Sequence, residues 1–507
     1  MDAAQLLFIG LIRLASPENL AMLTIGLVIG MTAGVLPGLG LVNGIVLALP
    51  FTYRMGVEPS IILVTAIYMS GTYAGCFTAI LYRIPGESND IPLLWDGYAM
   101  NRNGQAAKAL GWALVAALVG GLVSSAVMVS LAAPLGKFAL SFAPPDYFAA
   151  VLFGLATVVA LAGKSIMNGF IGLFLGLLIS TIGVDSIYGA YRFTFDSPIL
   201  VNGVPFLTVL MGMYGLGEIL GRFGSSSPIP IPGEIRPATQ SSAHQIFPSL
   251  AEMWALRGTF ARSTTLGTVL GIIPGAGATV TSFISYGIEK QYGKRGTEMG
   301  SGLPEGVVAP QIGSTASVAG HMVPLLTLGI PGSGATAVIL AAFLLHGVQP
   351  GPLLFAKPES TLVAYTIFAS MFAAVIGMCL LSFIWIRLTV MMLRIPTPLL
   401  DALIVMLCLL GAYADRNHVS DMWMVVIFGG LGYLFEKHEI PIAPLVLGIV
   451  LGPLAESSFM QSMISYDNDW MVLFKRPIAG VLMVLTILAL TFPIATRTAQ
   501  WVRVNFK

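Results

Sequence analysis

The chain has 507 residues, of which 56% are hydrophobic and only 10% charged, a balance that excludes a soluble domain and defines a polytopic helical membrane protein. Twenty-five Lys and Arg stand against 24 Asp and Glu, so the net charge of +1 gives no footprint for nucleic acid or for an acidic partner. The cysteines Cys76, Cys379 and Cys408 are scattered through apolar text with neither metal spacing nor a pairing pattern, and they read as free core thiols.

The chain starts without a basic n-region or a small-residue cleavage site, so no cleaved signal peptide is expected. Residues 3 to 14 are apolar, carry Arg13 and are too short to span, which suits a helix lying at the membrane interface. Ser16-Pro17-Glu18 then reads as the cap, first position and first-turn charge of a new helix. That helix runs into the text GMTAGVLPGLG, with Gly30, Gly34, Pro37, Gly38 and Gly40. Proline lacks the amide and glycine carries the largest backbone entropy, so the helix breaks at Pro37-Gly38. A span over 60 to 82, a second interruption at Pro85-Gly86 and a polar stretch from Glu87 to Lys108 follow. Further spans are predicted at 109 to 134, 147 to 163, 166 to 183 and 198 to 221.

Residues 222 to 257 form a polar, Pro- and Ser-rich linker between a first half, 1 to 221, and a second half, 258 to 507. The second half opens on GTVLGIIPGAG, in which Gly267, Gly271, Pro274, Gly275 and Gly277 repeat the first pattern at a constant offset, Gly30 to Gly267 and Pro37 to Pro274. A polar stretch from Glu289 to Glu305 and an interruption at Pro331-Gly332 again follow. Spans at 360 to 392, 397 to 414, 421 to 435, 440 to 453 and 478 to 496 bring the total to roughly 12 crossings. Arg497, Arg503 and Lys507 lean toward a cytoplasmic C-terminus, and Arg222, Arg236, Arg257 and Arg262 place the linker on the same side.

A half-helix of about ten residues is roughly 15 Å long, so each break falls near the middle of a hydrocarbon core about 30 Å thick. Broken backbone at that depth is tolerated only where protein buries it or where it lines a wet cavity, and paired breaks in two halves point to the binding site of a secondary transporter. Helix N-termini that start after a break suit an anion, and carbonyls freed before it suit sodium. The expected substrate contacts are therefore Gly38, Gly40, Asn43, Gly275, Gly277, Thr279, Ser314, Thr315, Pro331 and Gly332, with sodium held by backbone carbonyls near Pro37, Pro85, Pro274 and Pro331. Of the ionisable residues in apolar text, Asp146 and Asp185 fall at span ends near water, whereas Lys164, Glu218 and His321 are functional candidates; His321 reads equally as a structural histidine.

No catalytic motif completes. Gly163-Lys164-Ser165 lacks the earlier glycine of a phosphate loop, and His438-Glu439 runs on into Ile440-Pro441 where a zinc protease needs its second histidine. A non-enzyme without a cofactor is expected, with a passive channel and a membrane-embedded enzyme as the rival readings.

The strings GVLPGLG, GIIPGAG, TAILYRIPGESND, DGYAMNRNGQAAKALG, VPLLTLGIPGSGATAVILAAFLLHGVQPGPLLF, GAYADRNHVSDMW and PIAPLVLGIVLGPLAE resemble the large permease subunit of the tripartite tricarboxylate transporters. The resemblance covers residues 20 to 490. It implies an all-α permease of the bacterial inner membrane, built from two inverted repeats, that works with a small four-helix membrane subunit and a periplasmic solute-binding protein. It also implies import of carboxylates coupled to Na⁺ or H⁺, with elevator-like movement of a domain made from both repeats. After Ala309-Pro310 the family pattern has an acidic residue and then two asparagines; here Gln311 and Ser314-Thr315 stand instead, and His321 replaces a small residue.

Overall fold

The computed structural model describes residues 3–36, 39–161, 165–185, 187–224, 247–392 and 397–505. Helix α1 (Ala3–Leu14) lies against the distant helix α16 (Pro358–Met392), where Gly10 lets it reach the backbone of Tyr365. Helix α2 (Pro17–Val35) starts as its sequence predicts, with Pro17 in the first turn and the Ser16 hydroxyl accepting from the Asn19 amide. It ends where Leu36 turns extended, and α3 (Leu41–Thr52) begins after Gly40 at φ 68°. The chain continues through α4 (Val57–Tyr82), α5 (Leu93–Arg102), α6 (Ala106–Ala139), α7 (Pro144–Leu161) and α8 (Ile166–Ser180).

The predicted span at 198 to 221 is corrected at its start. Residues before Pro205 form turns and a two-residue antiparallel pairing of β1 (Gly183–Val184) with β2 (Tyr191–Arg192), because Gly183, Gly189 and Gly203 all take positive φ. The helix proper is α9 (Phe206–Leu210), which passes through a π-helical segment, Met211–Leu216, into α10 (Gly217–Gly224). Of the linker, residues 225–246 lie outside the described residues. Its ends are helical: α10 reaches Gly224, and α11 (Leu250–Ala255) has a capping box between Ser249 and Glu252.

In the second half, α12 (Arg257–Ile272), α13 (Gly277–Tyr292), α14 (Glu305–Leu328) and α15 (Gly334–Leu345) precede α16, α17 (Thr397–Arg416), α18 (Val419–Lys437), α19 (Ile442–Ser465), the short α20 (Val472–Lys475) and α21 (Pro477–Asn505). Among the described residues six helices are long and apolar enough to cross a membrane, and eight shorter apolar helices of 10–17 residues accompany them. The protein is a multi-pass, all-α membrane protein.

Two packing relations set the centre. Helix α2 lies on α4 and α12 lies on α14, and in both cases the spaced glycines of the repeat make the approach possible. A Cβ on Gly30 would sit 2.9 Å from the Ile67 Cα, and one on Gly271 would sit 2.8 Å from the Ser317 Cα. Small residues are what let helices pack tightly in lipid, so the first two glycines of each pattern serve packing. The halves are then interleaved: α4 packs on α16 of the second half, and α14 packs on α6 of the first. Helix α4 is fully enclosed by this arrangement.

Candidate substrate and ion site

The second-half break is the more completely described. Ile273 is extended, Gly275 has φ 88° and α13 starts at Gly277 with φ 62°. The Gly275 amide donates to the Gly332 carbonyl at 2.9 Å, so the two interruptions of this half, far apart in sequence, are joined directly. Gly332 follows the left-handed Gly329 (φ 72°) that closes α14, and Ser333 then caps α15 in a capping box with Thr336. A Cβ on Gly277 would meet nothing within 4 Å, which leaves open space at the start of α13.

His321 lies against this turn, its Cδ2 being 2.6 Å from where a Cβ on Gly332 would be. Its Nδ1 is 2.8 Å from the Tyr68 hydroxyl, which is itself 3.2 Å from the Ser333 hydroxyl, so one polar chain links α14, α4 and α15. The His321 Nε2 and the Gln311 Oε1 have no hydrogen-bond partner among the described residues, although both side chains are buried. Unpaired polar atoms so deep are expensive, and a ligand or an ordered water can complete their bonding.

The first half repeats the construction with different chemistry. The amide of Leu41, at the start of α3, donates to the Glu87 carboxylate, again joining the first interruption to the second. Glu87 and Asp90 form the capping box that Ser333 and Thr336 form in the other half. Pro37 and Gly38 lie outside the described residues. Gly40 has φ 68°, and Asn43 donates through Nδ2 to Glu218 while its Oδ1 is left without a partner among the described residues.

The remaining sequence candidates are placed as follows. Thr279 is half-buried on α13. The Ser314 hydroxyl donates to the Gln311 carbonyl of its own helix, and Thr315 accepts from the Gln311 side chain while its methyl lies near Gly121 of α6. Pro331 and Gly332 are buried in the joined turn. Asp146 is fully buried, pairs with Arg476 between α20 and α21 and accepts from the Ala479 amide of α21, and Asp185 holds the β1–β2 turn by accepting from the Ile187 amide. Lys164 lies outside the described residues.

Tyr68, Glu87 and Asp90 were not among the candidates. A trace of them is present in the repeat: the offset that carries Pro85 to Pro331 also carries Glu87 to Ser333, Asp90 to Thr336, Tyr68 to Ser314 and Gly75 to His321. Where His321 fills the second half, Gly75 leaves room in the first for the Asp90 carboxylate.

Beside the first-half turn a cleft of about 450 Å³ opens at the surface. Its lining includes Arg83, Arg102 and Lys290 over Trp95, Tyr98 and Tyr286, with no acidic side chain among the described residues that line it. Arg83, left-handed at φ 59° as the cap of α4, lies 5.6 Å over the Tyr98 ring and immediately precedes Ile84-Pro85-Gly86. Three cations without a carboxylate attract anions and raise their local concentration.

Paired broken helices whose interruptions are bonded to each other in each half, inside a multi-pass helical core, define the architecture of a membrane transporter. The chain belongs to the tripartite tricarboxylate transporter TctA family, whose sequence pattern matches residues 20–447. It is 34% identical over 484 residues to an uncharacterized 52.8 kDa protein in the TAR-I ttuC' 3' region of Agrobacterium vitis, covering 95% of this chain and 94% of that protein. An uncharacterized protein in the TAR-II ttuC' 3' region of the same organism is 37% identical over 238 residues, covering 46% of this chain and 98% of its own. No solved structure matches the chain.

Proposed function

We propose that this chain is the large membrane subunit of a three-component carboxylate importer in a bacterial inner membrane. Its partners in this reading are a small four-helix membrane subunit and a periplasmic solute-binding protein, and its uptake of di- or tricarboxylates is driven by Na⁺ or H⁺. The observation that carries the reading is the Gly275–Gly332 bond, which holds a pair of mid-helix breaks together beside unpaired buried polar atoms. In this reading the N-terminus of α13 and the Ser333–Tyr68–His321 chain receive the carboxylate, the glycines admitting it close to backbone amides. The interleaving of α4 with α16 and of α14 with α6 supports two repeats that pack on each other reciprocally, and in this reading they are inverted and move together as an elevator.

Delivery by a high-affinity soluble protein has a measurable consequence. At micromolar substrate the chain alone in proteoliposomes is expected to import little, and adding both partner subunits to restore uptake. A rate for the lone chain equal to that of the three-component system would end the tripartite reading.

The basic cleft fits the same reading as a waiting point for an anionic substrate on its way to or from the break. Arg102→Gln with Lys290→Gln is expected to raise the KM for a tricarboxylate by about tenfold at low salt while leaving the maximal rate near normal, with less change at high salt. A KM unchanged at low salt would remove the cleft from the substrate's path.

A further inference from the structure

The three cations of the basic cleft have no charged counterparts in the repeat. The offset that carries Pro85 to Pro331 carries Arg83 to Gly329 and Arg102 to Val348, and the offset that carries Pro37 to Pro274 carries Tyr53 to Lys290. The architecture shared by the halves therefore does not require them. Arg83 is the clearest case. It caps α4 at φ 59°, just as Gly329 caps α14 at φ 72°. Left-handed backbone favours glycine and strains a residue that carries a Cβ. The second half takes the unstrained solution, whereas the first keeps a guanidinium at the cap in spite of the strain.

The cleft lies on a seam. Arg83, Trp95 and Arg102 come from the end of α4 and from α5 in the first half, and Tyr286, Lys290 and Gly300 come from α13 and the loop before α14 in the second. Its floor is the joint between them, because the Tyr286 hydroxyl and the Gly300 amide both donate to Asp96 of α5 at 2.9 Å. Trp95 packs on the same joint, its ring centroid 4.7 Å from that of Tyr286 and 5.9 Å from that of Phe283.

Charge points to what fills it. Among the described residues none of Arg83, Arg102 and Lys290 forms an ion pair. The neighbouring acids are taken: Glu289 pairs with Arg262, and Asp96 faces the amides and the Tyr286 hydroxyl. Like charges gathered around a space of about 450 Å³ repel one another until an anion joins them. Two guanidinium groups and an ammonium suit an oxyanion, the first by paired N–H donors and the second as a point charge. Lys108, in the first turn of α6 shortly after Arg102, pairs with Glu252 of α11, so the cleft lies toward the side where the linker returns.

We propose that the cleft is an oxyanion site whose occupant bridges Arg83 and Arg102 of the first half to Lys290 of the second, and so braces the seam that Asp96 closes. The occupant carries at least two negative charges or a phosphate; a free di- or tricarboxylate and a lipid headgroup share that chemistry. This rests on the reading of the cleft as an anion station of a carboxylate transporter, and it adds that binding there holds α5 against α13.

The test is Trp95 fluorescence of the purified full-length chain in phosphatidylcholine nanodiscs, titrated with choline citrate against choline chloride at constant ionic strength. Wild type is expected to give a saturable change that Trp95→Phe removes. Arg102→Gln and Lys290→Gln, one on each side of the seam, are each expected to raise the citrate concentration for half-maximal change by about tenfold or more. Arg83→Gly copies the cap that the second half already folds with, and it should weaken citrate alike even if a glutamine variant misfolds. Amide hydrogen exchange at Gly300 and Gly302, which donate to Asp96, is expected to slow at saturating citrate. A change that citrate leaves out but phosphatidylglycerol in the nanodisc produces, and that the same variants abolish, supports the site with a headgroup as its occupant. No response to either anion, a response that survives Lys290→Gln or the arginine variants, or unchanged exchange at the joint with the site filled would each overturn the brace. Carboxylate counterflow in proteoliposomes separates this from the parent reading. Counterflow without any Trp95 response sinks the brace alone, whereas a Lys290-dependent response without counterflow of any carboxylate supports the site and removes the transport reading.

Discussion

Gly275→Ala is expected to abolish transport by a chain that still reaches the membrane. Gly275 has φ 88°, a left-handed conformation that costs an L-residue about 1–2 kcal/mol. An added Cβ would also lie 2.9 Å from the Thr157 carbonyl carbon and oxygen and from the Val158 Cα. Those atoms are α7 backbone and cannot swing aside, so the turn itself must shift and the bond from the Gly275 amide to Gly332 is strained. A displacement of about 1 Å in a binding constellation costs on the order of 100-fold in rate. Transport per folded molecule should fall by at least about that factor. Gly430→Ala is the control, since nothing lies within 4 Å of a Cβ there; Gly120, though in an unbroken helix, is unsuitable because its Cβ would come 3.2 Å from Ile312. Wild-type transport per molecule by Gly275→Ala would show that the joined breaks are not the site.

Asp96→Ala is expected to act on folding. Asp96 is fully buried on α5, and its carboxylate accepts from the Tyr286 hydroxyl and from the amides of Gly300, Gly302 and Leu303, each at 2.9 Å. These four donors belong to the second half, so one first-half side chain clasps α13 and the loop before α14. Hydrogen bonds to a charged acceptor contribute about 1.5–3 kcal/mol each, and a buried donor left without an acceptor costs about 1–3 kcal/mol. The variant should melt well below wild type in detergent and yield less monodisperse protein, with Asp96→Asn intermediate because it keeps one oxygen. A melting temperature within about 2 °C of wild type would show that the clasp contributes little.

The breaks were legible in the sequence because Pro-Gly pairs stand out against apolar text, and the repeat was legible because its spacing survived intact. The long helices were legible for the same reason: lipid demands unbroken apolar length. The stretch from Glu87 to Lys108 is recognisable in the sequence only as polar; it folds into the centre as a capping turn and α5, with Asp90 and Asp96 buried. Charge alone says that a segment is costly to bury, and the donors that meet Asp96 sit some two hundred residues further along the chain. Tyr68 was passed over for a similar reason, since its partner His321 is 253 residues away and nothing local announces it. Ser314 and Thr315 were visible as short polar residues near a break, but which way a hydroxyl turns depends on neighbours that spacing does not reveal; here both find their bonds within α14.

The interleaving of the halves also sets a schedule for biogenesis. Helix α4 ends at Tyr82, and α16, which covers the part of it that α2 leaves open, begins at Pro358. At translation rates of about 5–20 residues per second, α4 waits in the bilayer for roughly a quarter of a minute to a minute before its cover has been synthesised. Its side chains suit that wait, because Thr65, Ser70 and Thr72 each turn a hydroxyl back onto the carbonyl four residues earlier and expose no unpaired donor to lipid. Tyr68 and Tyr73 are different: their hydroxyls meet His321 of α14 and Ser382 of α16, so those contacts form only when the second half arrives. The Asp96 carboxylate likewise gains its Tyr286, Gly300, Gly302 and Leu303 donors only then, so the polar bonding of the first half is completed by the second.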